Sequence, residues 1–296
     1  FMYDLTAQLG EYLSSKNSMR SLSIVDCDLD HHWELRLTEG LKHNSSLQSL
    51  TIRNPSYVTN DEGVSDLIRS PSSLKVLNLC GFELPHSIQE RLGDLLTSHT
   101  LSLETLVLKN NGLTEVGVSS LSRVLPKFQI LKEVNLGMNR LINWNSCIGQ
   151  FVQNLPPSLR TISLNYVSMT DEGLMELRRI PKCVQSLSVW ESVSICRYTN
   201  VGIEALVNAL PMMPALTDFS ITTTTPTQDR AIEFWNRYNR AQIQKLLSQE
   251  ESVPVALWPK ILFHKQGYGS DVSYMIIKEL PSLFSDGDGG APGIRG

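Results

Sequence analysis

"LETLVLKNNGLTEVGVSSLSRVLPK", residues 103–127, carries two different periodicities with a turn between them. Leu103, Leu106 and Leu108 are spaced as the inward residues of a strand, whose successive side chains point to opposite faces. Gly117, Val118, Leu121 and Val124 follow at helical spacing, and Asn110, Asn111 and Gly112 stand between the two as a turn. One short strand and one helix cannot bury their apolar sides alone, whereas stacked copies bury a continuous core.

The phrase recurs. An apolar-x-x-apolar-x-apolar core appears as "MRSLSI" from Met19, "LQSLTI" from Leu47, "LKVLNL" from Leu74 and "LETLVL" from Leu103. It continues as "LKEVNL" from Leu131, "LRTISL" from Leu159, "VQSLSV" from Val184 and "LTDFSI" from Leu216. Successive starts differ by 28, 27, 29, 28, 28, 25 and 32 residues, a period that places the chain among repeat architectures. The second half of the unit recurs as "NDEGVSDL" from Asn60, "TEVGVSSL" from Thr114, "TDEGLMEL" from Thr170 and "TNVGIEAL" from Thr199. Its leading Thr or Asn is expected to cap a helix by accepting a bond from an early backbone N–H. Proline steps at Ser70-Pro71, Leu125-Pro126 and Leu210-Pro211 close the helices. The repeats from Met19, Leu74 and Leu131 keep the period but lack the T-x-x-G phrase.

These motifs resemble the leucine-rich repeat family, in particular its long ribonuclease-inhibitor-like class, over residues 19 to about 227. The opening helix "LTAQLGEYLSS" is similar to the end of an earlier repeat. The resemblance implies an α/β fold: a right-handed solenoid, or horseshoe, with a parallel inner sheet and outer helices. The family's strand-ending asparagine is present at Asn111 and Asn139 and absent from most other copies. Because that residue normally bonds neighbouring turns, its absence implies looser stacking.

From Gln228 the period stops. "DRAIEFWNRYNRAQIQKLL" places Ala231, Phe234, Trp235, Tyr238 and Ala241 on one helical face, and Trp258, Ile261, Ile277 and Phe284 follow. Because the last repeat of a solenoid exposes an edge of core, the expected organisation is a solenoid over 1–227 and a helical cap over 228–284. A glycine-rich tail over 285–296 is expected to be disordered.

Composition narrows the function. A net charge of −4 gives no basic face for nucleic acid, and no apolar run approaches the roughly 18 residues that cross a bilayer. Cys27, Cys80, Cys147, Cys183 and Cys196 are odd in number and lack CxxC spacing, which suits reduced thiols and a cytoplasmic location better than a disulfide framework. The sequon at Asn44 is a short match. Because the chain opens with Phe1, a fragment or processed form is expected. "DHHWE" sets His31 and His32 side by side, where on a helix they diverge; His43, His86, His99 and His264 stand alone. "DGDGG" at 286–290 lacks the later ligands of a calcium loop. No hydrolase, zinc or phosphate motif is found, so no cofactor, small-molecule substrate or enzyme activity is expected.

The two-residue alternation sends Thr105, Val107 and Lys109 to the concave face, and likewise Thr161, Ser163, Asn165 and Ser186, Ser188, Trp190. Most of this face is small and uncharged, consistent with a solvated sheet. Trp190 is its one aromatic, Tyr166 lies one residue beyond a concave position, and "ESVSICRY" lengthens the loop after Trp190. Insertions in repeats map to loops on the binding face, and Trp, Tyr and Arg are enriched at interface hot spots. Tyr166, Trp190, Glu191, Arg197 and Tyr198 therefore form the expected partner-binding cluster; packing of Trp190 on the insertion is the alternative. The expected function is a non-catalytic protein- or peptide-binding scaffold or sensor module. Two alternatives are a regulator resembling Ran GTPase-activating proteins, without their acidic tail, and the substrate-receptor part of a ubiquitin ligase.

Overall fold

The computed structural model describes residues 3–15, 18–27, 29, 33–55, 61–139, 144–192 and 196–240, and the chain divides into two compact units after Thr222. In the first unit the repeat phrase becomes eight strands: β1 (Ser21–Val25), β2 (Ser49–Arg53), β3 (Val76–Cys80), β4 (Thr105–Val107), β5 (Glu133–Asn135), β6 (Thr161–Ser163), β7 (Ser186–Val189) and β8 (Asp218–Ile221). They form one parallel sheet in chain order. Between and before them lie α1 (Tyr3–Ser15), α2 (Trp33–Lys42), α3 (Asp61–Arg69), α4 (His86–Leu96), α5 (Glu115–Val124), α6 (Trp144–Gln153), α7 (Asp171–Leu177) and α8 (Asn200–Val207), each helix packing on the next. The arrangement fits a leucine-rich repeat.

The register is in step throughout. Leu22, Leu50, Leu77, Leu106, Val134, Ile162, Leu187 and Phe219 are aligned partner to partner across all eight strands. Every member of this column is buried. So are Leu47, Leu74, Leu103, Leu131, Leu159, Val184 and Leu216, which open the phrases. Full burial of one such side chain stabilises by about 1.5–3 kcal/mol, so the column contributes substantially to stacking.

The glycine of the T-x-x-G phrase has a packing role. A Cβ on Gly63 would stand 2.7 Å from Glu34 Cβ, and one on Gly117 would stand 2.9 Å from Gln89 Oε1. One on Gly202 would run into Asp171 of the preceding helix. Glycine lets these three helix starts come close against their predecessors.

The expected threonine cap holds at one of these helices and fails at two. Thr199 accepts from Val201 N–H at 3.2 Å, but Thr114 and Thr170 make no side-chain cap. Thr114 Oγ1 instead donates to Gln89 Oε1 at 2.8 Å, and the same oxygen accepts Thr114 N–H at 2.7 Å. Asp171 takes a similar part for α8, accepting Thr199 N–H at 2.7 Å and Gly202 N–H at 3.0 Å. The preceding helix supplies the acceptor that the helix start requires, so the recurring threonine joins repeats as well as starting helices.

Stacking is not left loose where the strand-ending asparagine is missing. Asn139 Oδ1 accepts Asn111 N–H at 2.9 Å and its Nδ2 donates to Leu108 O at 2.8 Å; Asn111 likewise donates to Leu79 O at 2.9 Å. Further along, other side chains take over. Glu191 Oε2 accepts Ser168 N–H at 2.8 Å. Thr222 Oγ1 accepts Glu191 N–H at 2.8 Å and donates to Glu191 O at 2.6 Å. Asn44 of the sequon is buried, with Nδ2 on Leu13 O at 2.9 Å and Oδ1 accepting Leu47 N–H at 2.9 Å. Its amide is committed to the repeat junction.

In the second unit α9 (Pro226–Arg240) begins two residues before the expected boundary. Ala231, Ile232, Phe234 and Trp235 are buried, and Tyr238 meets both rings of the Phe234–Trp235 pair at centroid distances of 5.9 and 5.3 Å. Ala241 and the remainder of the expected cap, and the tail at 285–296, lie outside the described residues.

Candidate functional site

Six of the eight repeats turn out of their strands through a residue with left-handed backbone. The same position in six successive repeats has positive φ: Asp26 at 52°, Asn54 at 47°, Gly81 at 78°, Asn110 at 54°, Met138 at 60° and Tyr166 at 57°. The conformation aims that residue's N–H at the next repeat. Asp26 N–H reaches Arg53 O at 3.0 Å, Asn54 N–H Cys80 O at 2.8 Å, and Gly81 N–H Lys109 O at 3.2 Å. The series continues from Asn110 to Gly137 O at 2.9 Å, Met138 to Asn165 O at 2.7 Å and Tyr166 to Trp190 O at 2.5 Å. Left-handed geometry costs an ordinary L residue about 1–2 kcal/mol, a penalty that Gly escapes and Asn and Asp largely avoid. The first four repeats use those residues. Met138 and Tyr166 do not.

Met138 is 40% exposed and Trp190 51%, while Tyr166 is half-buried. The hydrogen bonds set them on neighbouring repeats, about 4.8 Å apart per strand, along the edge where β5, β6 and β7 end. Trp190 is held from one side by Tyr166 N–H on its carbonyl and by Asn165 Oδ1, which accepts Trp190 N–H at 2.6 Å. Asn165 is itself fixed by a polar chain across the sheet. Ser220 Oγ donates to Ser188 Oγ at 3.2 Å, Ser188 Oγ to Asn165 Oδ1 at 2.6 Å, and Asn165 Nδ2 to Ser163 Oγ at 3.2 Å.

The expected cluster divides. Tyr166 and Trp190 are brought together, and Arg197 is exposed with its backbone bridged to Thr170. Glu191 and Tyr198 are corrected: both are buried. Glu191 bonds Ser168 as above, and Tyr198 O–H donates to Val189 O at 3.2 Å. Burial, reinforced by Cys196 and opposed by hydrogen bonding to Thr222, pushes the Tyr198 phenol well above its ordinary pKa. These two side chains pin the ends of the lengthened loop; residues 193–195 within it lie outside the described residues. Met138 was absent from the expected cluster. The signal for it is a Met at a position that reads Asp, Asn, Gly and Asn in the earlier repeats.

Other candidates lie elsewhere. His43 and His86 are exposed beside Glu39 and Glu90, His99 is buried, and His31, His32, His264 and the "DGDGG" stretch lie outside the described residues. A groove of about 550 Å³ between α1 and α2 is lined by Gly10, Gly40, Leu35 and Glu39, far from the sheet edge in the helix layer. No helix among the described residues is long and apolar enough to cross a membrane.

No protein-family model matches the chain, and no curated protein matches it. Among solved structures it is similar to a tropomodulin C-terminal domain from Caenorhabditis elegans, with a TM-score of 0.44 and 14% identity over 55% of this chain and 98% of that one. It is also similar to leiomodin-1 actin-binding site 2, with a TM-score of 0.45 and 12% identity over 56% of this chain and 94% of that one.

Proposed function

We propose that this chain is a non-catalytic, cytoplasmic protein- or peptide-binding module, built as a right-handed horseshoe of the ribonuclease-inhibitor-like class. It grips its partner on Met138, Tyr166 and Trp190 at the rim of the concave sheet. The observation carrying the reading is that Met138 and Tyr166 occupy left-handed positions (φ 60° and 57°) where four earlier repeats use Asp, Asn or Gly. Backbone strain of this kind concentrates at ligand-binding sites, where the surrounding structure over-determines it. Exposed, backbone-fixed aromatic and thioether groups are suitable anchors, since rigid anchors lose little freedom on binding. The hydroxyls of Ser188 and Ser220 bond to Asn165 and to each other. That chain offers hydrogen bonds to a partner but no base to activate a nucleophile.

The test is selection of a displayed random-peptide library on the immobilised chain. Selected peptides are expected to lose about 2 kcal/mol, roughly 30-fold in Kd, on Trp190→Ala, with the thermal midpoint unchanged. Peptides that bind Trp190→Ala as tightly as the parent would overturn the reading.

A further inference from the structure

Exposure separates the methionines of this chain by place. Among the described residues only Met138, 40% exposed, and Met212, 68% exposed, stand open to solvent. Met169 and Met213 are buried, and Met19 and Met175 are half-buried. Met212 ends the single turn Leu210–Met212 that leads from α8 towards the start of β8, on the edge opposite the rim. Met138 lies on the rim itself. Its N–H bonds Asn165 O at 2.7 Å, and Asn165 Oδ1 accepts Trp190 N–H at 2.6 Å. One asparagine therefore fixes the backbone of both anchors, with Tyr166 on the repeat between them. The thioether projects from a fixed point among the groups proposed to grip the partner.

We propose that Met138 makes the binding rim redox-sensitive: oxidation of its thioether to the sulfoxide by a hydroperoxide releases the partner, and reduction of the sulfoxide restores binding. This rests on the proposed function and names how that site is regulated. A sulfur lone pair attacks one peroxide oxygen. The S–O bond forms as the O–O bond breaks, sulfur is oxidised by two electrons, and the departing hydroxide takes the remaining proton to leave as water. The product is a polar, chiral group in place of a flexible apolar one. An apolar group of the partner seated on Met138, Tyr166 and Trp190 would then cover the sulfoxide oxygen without replacing its water, and burying an unpaired polar group opposes binding. The fold does not share that penalty. Val134 and Leu136 form the core of this repeat and have no exposed surface, so the change at Met138 leaves the buried column intact.

The experiment treats the intact chain with hydrogen peroxide and then with dithiothreitol, which reverses sulfenic acid and disulfide formation at the exposed Cys27. After the reagents are removed, a methionine-free peptide that loses affinity on Trp190→Ala is titrated, and mass spectrometry of proteolytic fragments locates the added oxygen. Affinity is expected to fall about tenfold, with the thermal midpoint unchanged, and to return after treatment with methionine sulfoxide reductases. Met212→Leu should keep the whole loss. Met138→Leu, whatever its starting affinity, should bind equally before and after peroxide. Unchanged affinity with Met138 oxidised, an equal loss in Met138→Leu, or a Met138 that peroxide leaves unoxidised would overturn the inference, while the Trp190→Ala result would still support the binding reading. A selection yielding no Trp190-dependent peptide would remove both.

Discussion

Asn165 holds Trp190 by its backbone: Asn165 Oδ1 accepts the Trp190 N–H at 2.6 Å and the Ser188 O–H at the same distance. The indole is thereby presented from a fixed point, although half of it is exposed. Asn165→Ala is expected to lower stability by about 0.5–1.5 kcal/mol, the net worth of an accessible hydrogen bond, and to weaken Trp190-dependent peptides by more than that. Urea denaturation and fluorescence titration of the same variant separate the two effects. Equal losses would mean that Asn165 supports the fold alone.

The core register makes a second demand. Leu106 and Leu164 have no exposed surface, and Leu106 is aligned with Leu77 on one side and Val134 on the other. Leu→Ala at either position should cost about 2–5 kcal/mol, read as a shift in denaturation midpoint. Leu101, 67% exposed, is the contrasting site, where Leu→Ala is expected to change stability by under about 0.5 kcal/mol.

Helix packing supplies a third. Gly63→Ala would set a methyl 2.7 Å from Glu34 Cβ, so α3 must move away from α2. A loss of about 1–3 kcal/mol is expected from this overpacking. Gly112→Ala meets nothing within 4 Å but sits at φ 62°, so its cost is conformational. Adding Gly112→Asn, which tolerates that backbone, should recover part of the loss. No such rescue is available at Gly63.

The strand columns and the period were legible because every inward position is apolar and every repeat restates it; the parallel order was implied by the leucine-rich repeat resemblance. The glycine of T-x-x-G was legible as a recurrence, but its reason was not. Its meaning depends on a neighbour some 29 residues earlier, as with Gly63 and Glu34. Thr114 reads as a cap, yet Gln89 takes its hydroxyl. Trp190 stood out as the aromatic in a row of small residues. Glu191 and Tyr198 read as surface because polarity in a sequence does not reveal a side chain turned inward to satisfy backbone groups. Met138 escaped because left-handed geometry leaves no mark in hydrophobic periodicity. Comparing Asp26, Asn54, Gly81 and Asn110 at one repeat position exposes it.

His99 gives a pH dependence. It is fully buried, its Nε2–H donates to Ile68 O at 2.6 Å, and Nδ1 has no partner. Burial holds its pKa below the ordinary value. As pH falls below about 6.5 the unfolded chain takes up a proton that the folded imidazole refuses, so stability declines from there down to the lowered folded pKa. His99→Gln, which can still donate to Ile68 O, is expected to show a smaller loss of midpoint between pH 7.5 and 5.5 than the parent. An identical slope would assign the acid sensitivity elsewhere.

Under the proposed function, Met138 and Tyr166 are kept in left-handed positions for what they bind. The direct measurement is the Met138→Asn/Tyr166→Asn double variant, followed by urea denaturation and by titration with a Trp190-dependent peptide. Asparagine suits the left-handed turn, so stability should rise by about 0.5–1 kcal/mol per site, while peptide affinity falls at least tenfold, the exchange of stability against function seen at strained sites. A double variant that loses stability, or that binds the peptide as well as the parent, would contradict the account.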